Sequence, residues 1–115
     1  MRSKKMQELI CQAVDDAKGL NVRVLDVQRI SDVTDYMVLT SGTSNRHVSS
    51  VADKVLEAMR QHGCRPLGTE GREAGEWVLL DFGDVLVHVM KPDVRQFYNL
   101  EKLWTDSGQT KAVEK

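Results

Sequence analysis

The residues of this 115-residue chain whose side chains could carry chemistry are few: three histidines, two cysteines and a handful of clustered hydroxyls and carboxylates. His47, His62 and His88 stand at no metal-ligand spacing from a cysteine or from one another, so their pattern does not describe a zinc site. His47 follows Arg46 in the first turn of a predicted helix, where a solvent-facing side chain is expected. His88 falls in a predicted strand opposite a tryptophan, where a stacked or hydrogen-bonded ring is expected. Cys11 and Cys64 form no CxxC and read as two reduced, mostly buried thiols of a reducing compartment. No Ser/His/Asp or Cys/His set can be assembled, so the residues point to neither catalysis nor a cofactor.

One stretch offers an alternative. Thr40-Ser41-Gly42-Thr43-Ser44, at a strand-to-helix junction, could turn backbone N–H groups toward an anion. It lacks the lysine and the glycine spacing of a P-loop, and a plain turn with a helix cap is the simpler reading. A Ser-Gly turn followed by acidic residues on a later strand is also the layout of nucleotidyltransferases. Those enzymes hold metal with two carboxylates two residues apart on one strand. Here Asp81 and Asp84 flank Phe82-Gly83, which cannot ligate a metal by side chain. A nucleotide-binding or nucleotidyltransferase-like enzyme using Ser41-Gly42 and Asp81 is therefore the second reading. The Asp-Phe-Gly string also occurs in kinases, but a chain this short without a glycine loop or catalytic loop is not one.

The elements that would position these residues are well marked. Met6, Leu9, Ile10, Ala13, Val14 and Ala17 make one apolar helical face, with Ser3 as cap and Gly19 as the left-handed stop. Strands are predicted at Val22 to Gln28 and Tyr36 to Ser41. A second amphipathic helix carries Val48, Val51, Ala52, Val55, Leu56 and Met59, with a cap among Thr43, Ser44 and Asn45 and a stop at Gly63. The Gly/Pro-punctuated stretch from Cys64 to Glu76 reads as a short edge strand and a loop. Two strands follow, Trp77 to Asp81 and Asp84 to Met90, then a helix from about Val94 to Trp104. The order α-β-β-α-β-β-β-α predicts an α/β (α+β) domain over residues 1–106: a mixed sheet of about five strands with helices packed on it. The passage from Tyr36 through the second helix to the edge strand could form a right-handed crossover. Residues 107–115 read as a polar, flexible tail.

A Phe82-Gly83 turn would pair Leu80 with Val85, Leu79 with Leu86, Val78 with Val87 and Trp77 with His88. Alternation then sorts two faces. Val78, Leu80, Val85, Val87 and Val89 are wholly aliphatic and belong under helices. Trp77, Leu79, Asp81, Asp84, Leu86, His88 and Met90 combine an aromatic anchor, aliphatics and a charged rim, the make-up of a protein-binding patch. A helix covering this face as well, with Trp77 in the core, is the competing reading.

Composition narrows the partner. Sixteen Lys+Arg against seventeen Asp+Glu give a formal charge of −1, which excludes a polycation that grips nucleic acid by counterion release. No window approaches 18 apolar residues, so no membrane span is expected, and the amino-terminal stretch lacks a signal peptide's apolar region. A cytoplasmic protein is the expectation.

Three blocks carry a family resemblance. They are Asp35-Tyr36-Met37-Val38-Leu39-Thr40-Ser41-Gly42-Thr43-Ser44-Asn45-Arg46-His47-Val48; Glu70-Gly71 with Glu76-Trp77-Val78-Leu79-Leu80-Asp81-Phe82-Gly83-Asp84-Val85-Leu86-Val87-His88-Val89-Met90; and Arg95-Gln96-Phe97-Tyr98-Asn99-Leu100-Glu101-Lys102-Leu103-Trp104. In order and spacing the chain resembles the ribosomal silencing factor, or Iojap, family over about residues 5 to 106. Leu86 and Met90 are mild departures from the apolar residues common there. The resemblance implies a nucleotidyltransferase-like topology without transferase activity. It also implies binding to the large ribosomal subunit through ribosomal protein L-fourteen, which blocks subunit joining and lowers translation when nutrients are short. Trp77 would then anchor the contact, with Leu79, Leu86 and Met90 around it and Asp81, Asp84 and His88 at the rim. No primary RNA contact is expected, and a homodimer through the same face is compatible with this reading.

Overall fold

The computed structural model describes residues 1–105 and 111–113. The two amphipathic patterns become α1, Ser3–Asp16, and α2, Asn45–Gln61; the stripes are buried, with Leu9, Ala17 and Leu56 only partly so, and α1 buries Gln7 and Cys11 as well. Ser3 is the first helical residue of α1, with Arg2 in the cap position and no side-chain cap bond. The stop of α1 also differs from expectation: Lys18, not Gly19, takes the left-handed conformation, at φ 63°. Gly19 is needed for closeness instead, since a Cβ there would lie 2.5 Å from Val14 Cγ1 and 2.7 Å from Thr40 Oγ1. At the start of α2, Ser44 Oγ accepts from the His47 N–H, and Gly63 ends the helix at φ 76° as its spacing predicts.

The strands are β1 (Leu20–Asp26), β2 (Tyr36–Ser41), β3 (Gly68–Glu70), β4 (Trp77–Asp81), β5 (Val85–Met90) and β6 (Lys111–Val113). They form one mixed sheet in the order β3-β4-β5-β2-β1-β6, with β2 and β5 parallel and the other neighbours antiparallel. The mixed α+β class is therefore as expected. β3 is the edge strand, as expected, and it runs parallel to β2 with the β4–β5 hairpin between them, so the passage through α2 is a crossover and the strand directly beside β2 is β5. One detail differs from expectation. Of the predicted tail, residues 107–110 and 114–115 lie outside the described residues, while Lys111–Val113 pair with β1.

The β4–β5 register is Trp77 with Met90, Val78 with Val89, Leu79 with His88, Leu80 with Val87 and Asp81 with Leu86. This is two residues from the predicted pairing, because the turn is Gly83-Asp84. Phe82 is buried rather than at the tip, and its N–H donates to the Val85 carbonyl at 3.0 Å. Burying a phenyl ring outweighs the turn propensity of the dipeptide that contains it. A shift of two conserves side-chain parity, so both predicted faces survive it. Val78, Leu80, Phe82, Val85, Val87 and Val89 are buried in one cluster with the stripes of α1 and α2.

The other face is covered in part. The single helix expected from Val94 to Trp104 is two: α3, Pro92–Tyr98, and α4, Leu100–Thr105. Asn99 separates them at φ 46°, a conformation asparagine tolerates, and its Oδ1 accepts from the Lys102 N–H. Val94, Leu100 and Trp104 pack on Leu25, Val27, Met37, Leu39 and Met90. A polar brace fixes this elbow to the sheet: Arg95 Nε donates to Glu101 at 2.6 Å and its Nη1 to Ser41 Oγ at 3.0 Å. Arg23 adds a looser ion pair to Glu101 at 3.6 Å. Among the described residues no helix is long and apolar enough to cross a membrane.

The Arg95 side chain is only 10 % exposed. Removing Glu101 leaves that guanidinium without its carboxylate, so Glu101→Ala is expected to destabilise the fold by roughly 2 kcal/mol, below the range for fully buried pairs because Glu101 is partly solvated. Urea unfolding of the variant checks this.

Candidate partner-binding face

The elbow covers β1, β2 and the end of β5, and stops short of β3 and β4. Leu79 remains half-buried on the open part, Leu86 is half-buried at its edge against the covered cluster, and Glu70, opposite Leu79, brings a carboxylate to the same face. Trp77 sits where covered and open parts meet. Its ring centroid is 4.8 Å from that of Tyr98, and Phe97 meets Tyr98 edge-on at 5.0 Å. Phe97 is 74 % and Tyr98 57 % exposed, so three rings form a ladder that ends in solvent. Exposed aromatic surface next to a half-covered aliphatic face is the composition of an interface core.

The predicted site residues divide. Trp77, Leu79, Leu86 and Asp81 lie together on this face, each half-buried. Asp81 Oδ1 accepts from the Gly83 N–H at 2.8 Å, which ties it to the turn as well as to the rim. Asp84 leaves the face: with Phe82 drawn inward it becomes a turn residue, and its carbonyl accepts from the N–H groups of Asp35 and Tyr36. Met90 is fully buried beneath the elbow and cannot itself touch a partner. His88 is 7 % exposed and lies inside the face rather than at its rim. Its Nδ1 accepts from Trp77 Nε1–H at 3.0 Å, which requires the neutral ring with its proton on Nε2. Desolvation pushes the pKa of His88 down to about 4 from 6.5, consistent with that state.

The backbone around Trp77 is fixed from the other side. Gly71, after β3, has φ 79°, and a Cβ there would run into the Trp77 carbonyl oxygen. The sequence reading missed Phe97, Tyr98, Glu70 and the Arg95 brace. The rings stand in the third block, but nothing in that block marks them as exposed at the end of α3.

The alternative site does not assemble. Ser41 pairs with Met90 and Asp81 with Leu86, at opposite ends of β5 and about 13 Å apart along the strand direction alone. Ser41 Oγ accepts from Arg95, and Asp81 is held by the turn. Among the described residues no three His, Cys, Asp or Glu side chains converge as a metal site would require. His47, expected to face solvent, is instead a clip between helices. Its Nδ1 accepts from the Thr43 N–H at 2.9 Å, so its Nε2–H donates to the Ala17 carbonyl at 3.0 Å.

Comparison with known proteins agrees with this architecture. The family profile described as "RsfS: Ribosomal silencing factor during starvation" matches residues 1–115. The chain is 39 % identical over 113 residues to ribosomal silencing factor RsfS of Chromobacterium violaceum, covering 98 % of this chain and 93 % of that one. It is 36 % identical to the mouse protein named mitochondrial assembly of ribosomal large subunit protein 1, covering 85 % of this chain and 44 % of that one. A crystal structure of a Chromobacterium violaceum protein superposes with a TM-score of 0.90 at 39 % identity, covering 91 % of this chain and 88 % of that one.

The buried imidazole has a pH signature. Between pH 6.5 and about 4 the unfolded chain binds the His88 proton and the folded chain does not. Stability from this group is therefore complete above pH 6.5 and falls as the pH drops toward 4, by up to about 3 kcal/mol. Urea unfolding across this window is expected to show that loss, and His88→Asn is expected to flatten it.

Proposed function

The chain belongs to the RsfS family of ribosomal silencing factors, and from that premise we propose that it binds the large ribosomal subunit through ribosomal protein L-fourteen. The bound chain stands where the small subunit would dock, so subunits fail to join and translation in the cytoplasm is repressed under nutrient limitation. The mechanism is occupancy of a surface and needs no catalytic step. The observation that carries this reading is the solvent-ended ring ladder of Trp77, Tyr98 and Phe97 beside Leu79 and Leu86. A sheet face of this kind with its rim can supply a standard interface of about 800 Å² per partner. The carboxylates of Glu70 and Asp81 beside it complement a basic ribosomal protein and disfavour the surrounding phosphates. The name of the mouse relative points to the same subunit.

Trp77→Ala is expected to leave a folded chain and weaken large-subunit binding by about 2 kcal/mol or more, as loss of a hot-spot residue does. Phe97→Ala, at a mostly exposed position, is expected to weaken binding without altering stability. Co-sedimentation with purified large subunits and pull-down with L-fourteen measure both. Undiminished binding by folded Trp77→Ala would remove the anchor from the account. Binding is also expected to fall only shallowly with salt, and a slope implying several released counterions would point to direct RNA contact instead.

A further inference from the structure

Trp77, on the open face, has its polar atom already bonded inside the fold. Across the hairpin it faces Met90, and His88 is its diagonal neighbour on the same face. The two ring centroids are 5.9 Å apart at 46°, and Trp77 Nε1–H donates to His88 Nδ1 at 3.0 Å. Tyr98 holds the indole by its 4.8 Å contact, and Met90 fills the position below. Indole carries a single donor and no acceptor. With that donor turned inward, the solvent-facing part of Trp77 is hydrocarbon edge and π face only.

We propose that His88 is the positioning residue for Trp77: it fixes the indole rotamer before docking and leaves the partner no indole hydrogen to bond. The group that meets Trp77 is then an aliphatic side chain, or a guanidinium or ammonium lying on the ring face. A carboxylate or carbonyl seeking a donor gains nothing there. Preorganisation matters because a tryptophan free to turn must be ordered when the complex forms, which weakens binding. His88 is closed off from solvent, so it acts through Trp77 rather than by touching the partner. The binding half of this inference rests on the proposed large-subunit interaction, and the positioning half does not.

Nuclear magnetic resonance of the full chain labelled with nitrogen-15 tests it, with Trp104→Phe used to assign the two indole signals. In the wild-type chain the Trp77 indole proton is expected to exchange slowly with water. Scalar coupling across the hydrogen bond to an imidazole nitrogen is expected as well, a check that needs no variant. His88→Asn keeps an acceptor, Oδ1, at the place of Nδ1 and should preserve slow exchange. His88→Phe removes the acceptor and should speed exchange by about tenfold or more. Binding to purified large subunits should follow the acceptor, with His88→Phe weaker by about tenfold and His88→Asn within about threefold of wild type. Absence of the coupling, unchanged indole exchange in His88→Phe, or His88→Asn binding as poorly as His88→Phe would overturn the proposal. If the wild-type chain does not bind large subunits, the proposed function falls, and the indole measurements still decide the positioning role.

Discussion

The alternation of side chains along the β4–β5 hairpin is the constraint from which the molecule is built. One parity is apolar without exception, from Val78 through Phe82 to Val89, and it takes up the apolar stripes of α1 and α2. The opposite parity then has to be covered by what remains of the chain, and what remains is short. The α3–α4 elbow reaches Met90, Leu39 and Leu25 but not Leu79. The open face is thus a consequence of making two helical layers from two long helices and two short ones. Arg95, bonded to Glu101 and Ser41, fixes how far the short layer extends.

The sequence disclosed this plan where the signal was periodic. Both long helices, the strand pair and the identity of its two faces follow from spacings of 3.6 and 2. The faces survive even though the turn was misplaced, because an error of two residues keeps parity. Local exceptions were not legible. Phe82 carries turn character in its dipeptide but core character in its ring, and only the packed structure decides between them. Lys18 in a left-handed conformation has no composition signal, with Gly19 beside it drawing attention for a different reason.

The candidate site was legible in its centre and illegible at its margins. Trp77, Leu79 and Leu86 were found from alternation alone. Met90 and His88 share their parity but lie where the elbow covers the face, and parity says nothing about coverage. Phe97 and Tyr98 stand at the i+3 and i+4 positions from Val94, spacing that a continuous helix would use for burial. In the folded chain α3 lays Val94 on the sheet and leaves Phe97 and Tyr98 mostly exposed. A face read from strands therefore located Trp77 and missed the rings beside it.

The proposed function seats a partner on the open face. Hydrogen exchange of the full chain, free and bound to purified large subunits, measures that directly. The account predicts added protection in β3, β4 and α3, with the amides of α1 and α2 unchanged. Protection concentrated on the exposed sides of α1 and α2, with β4 and α3 unaffected, would contradict it.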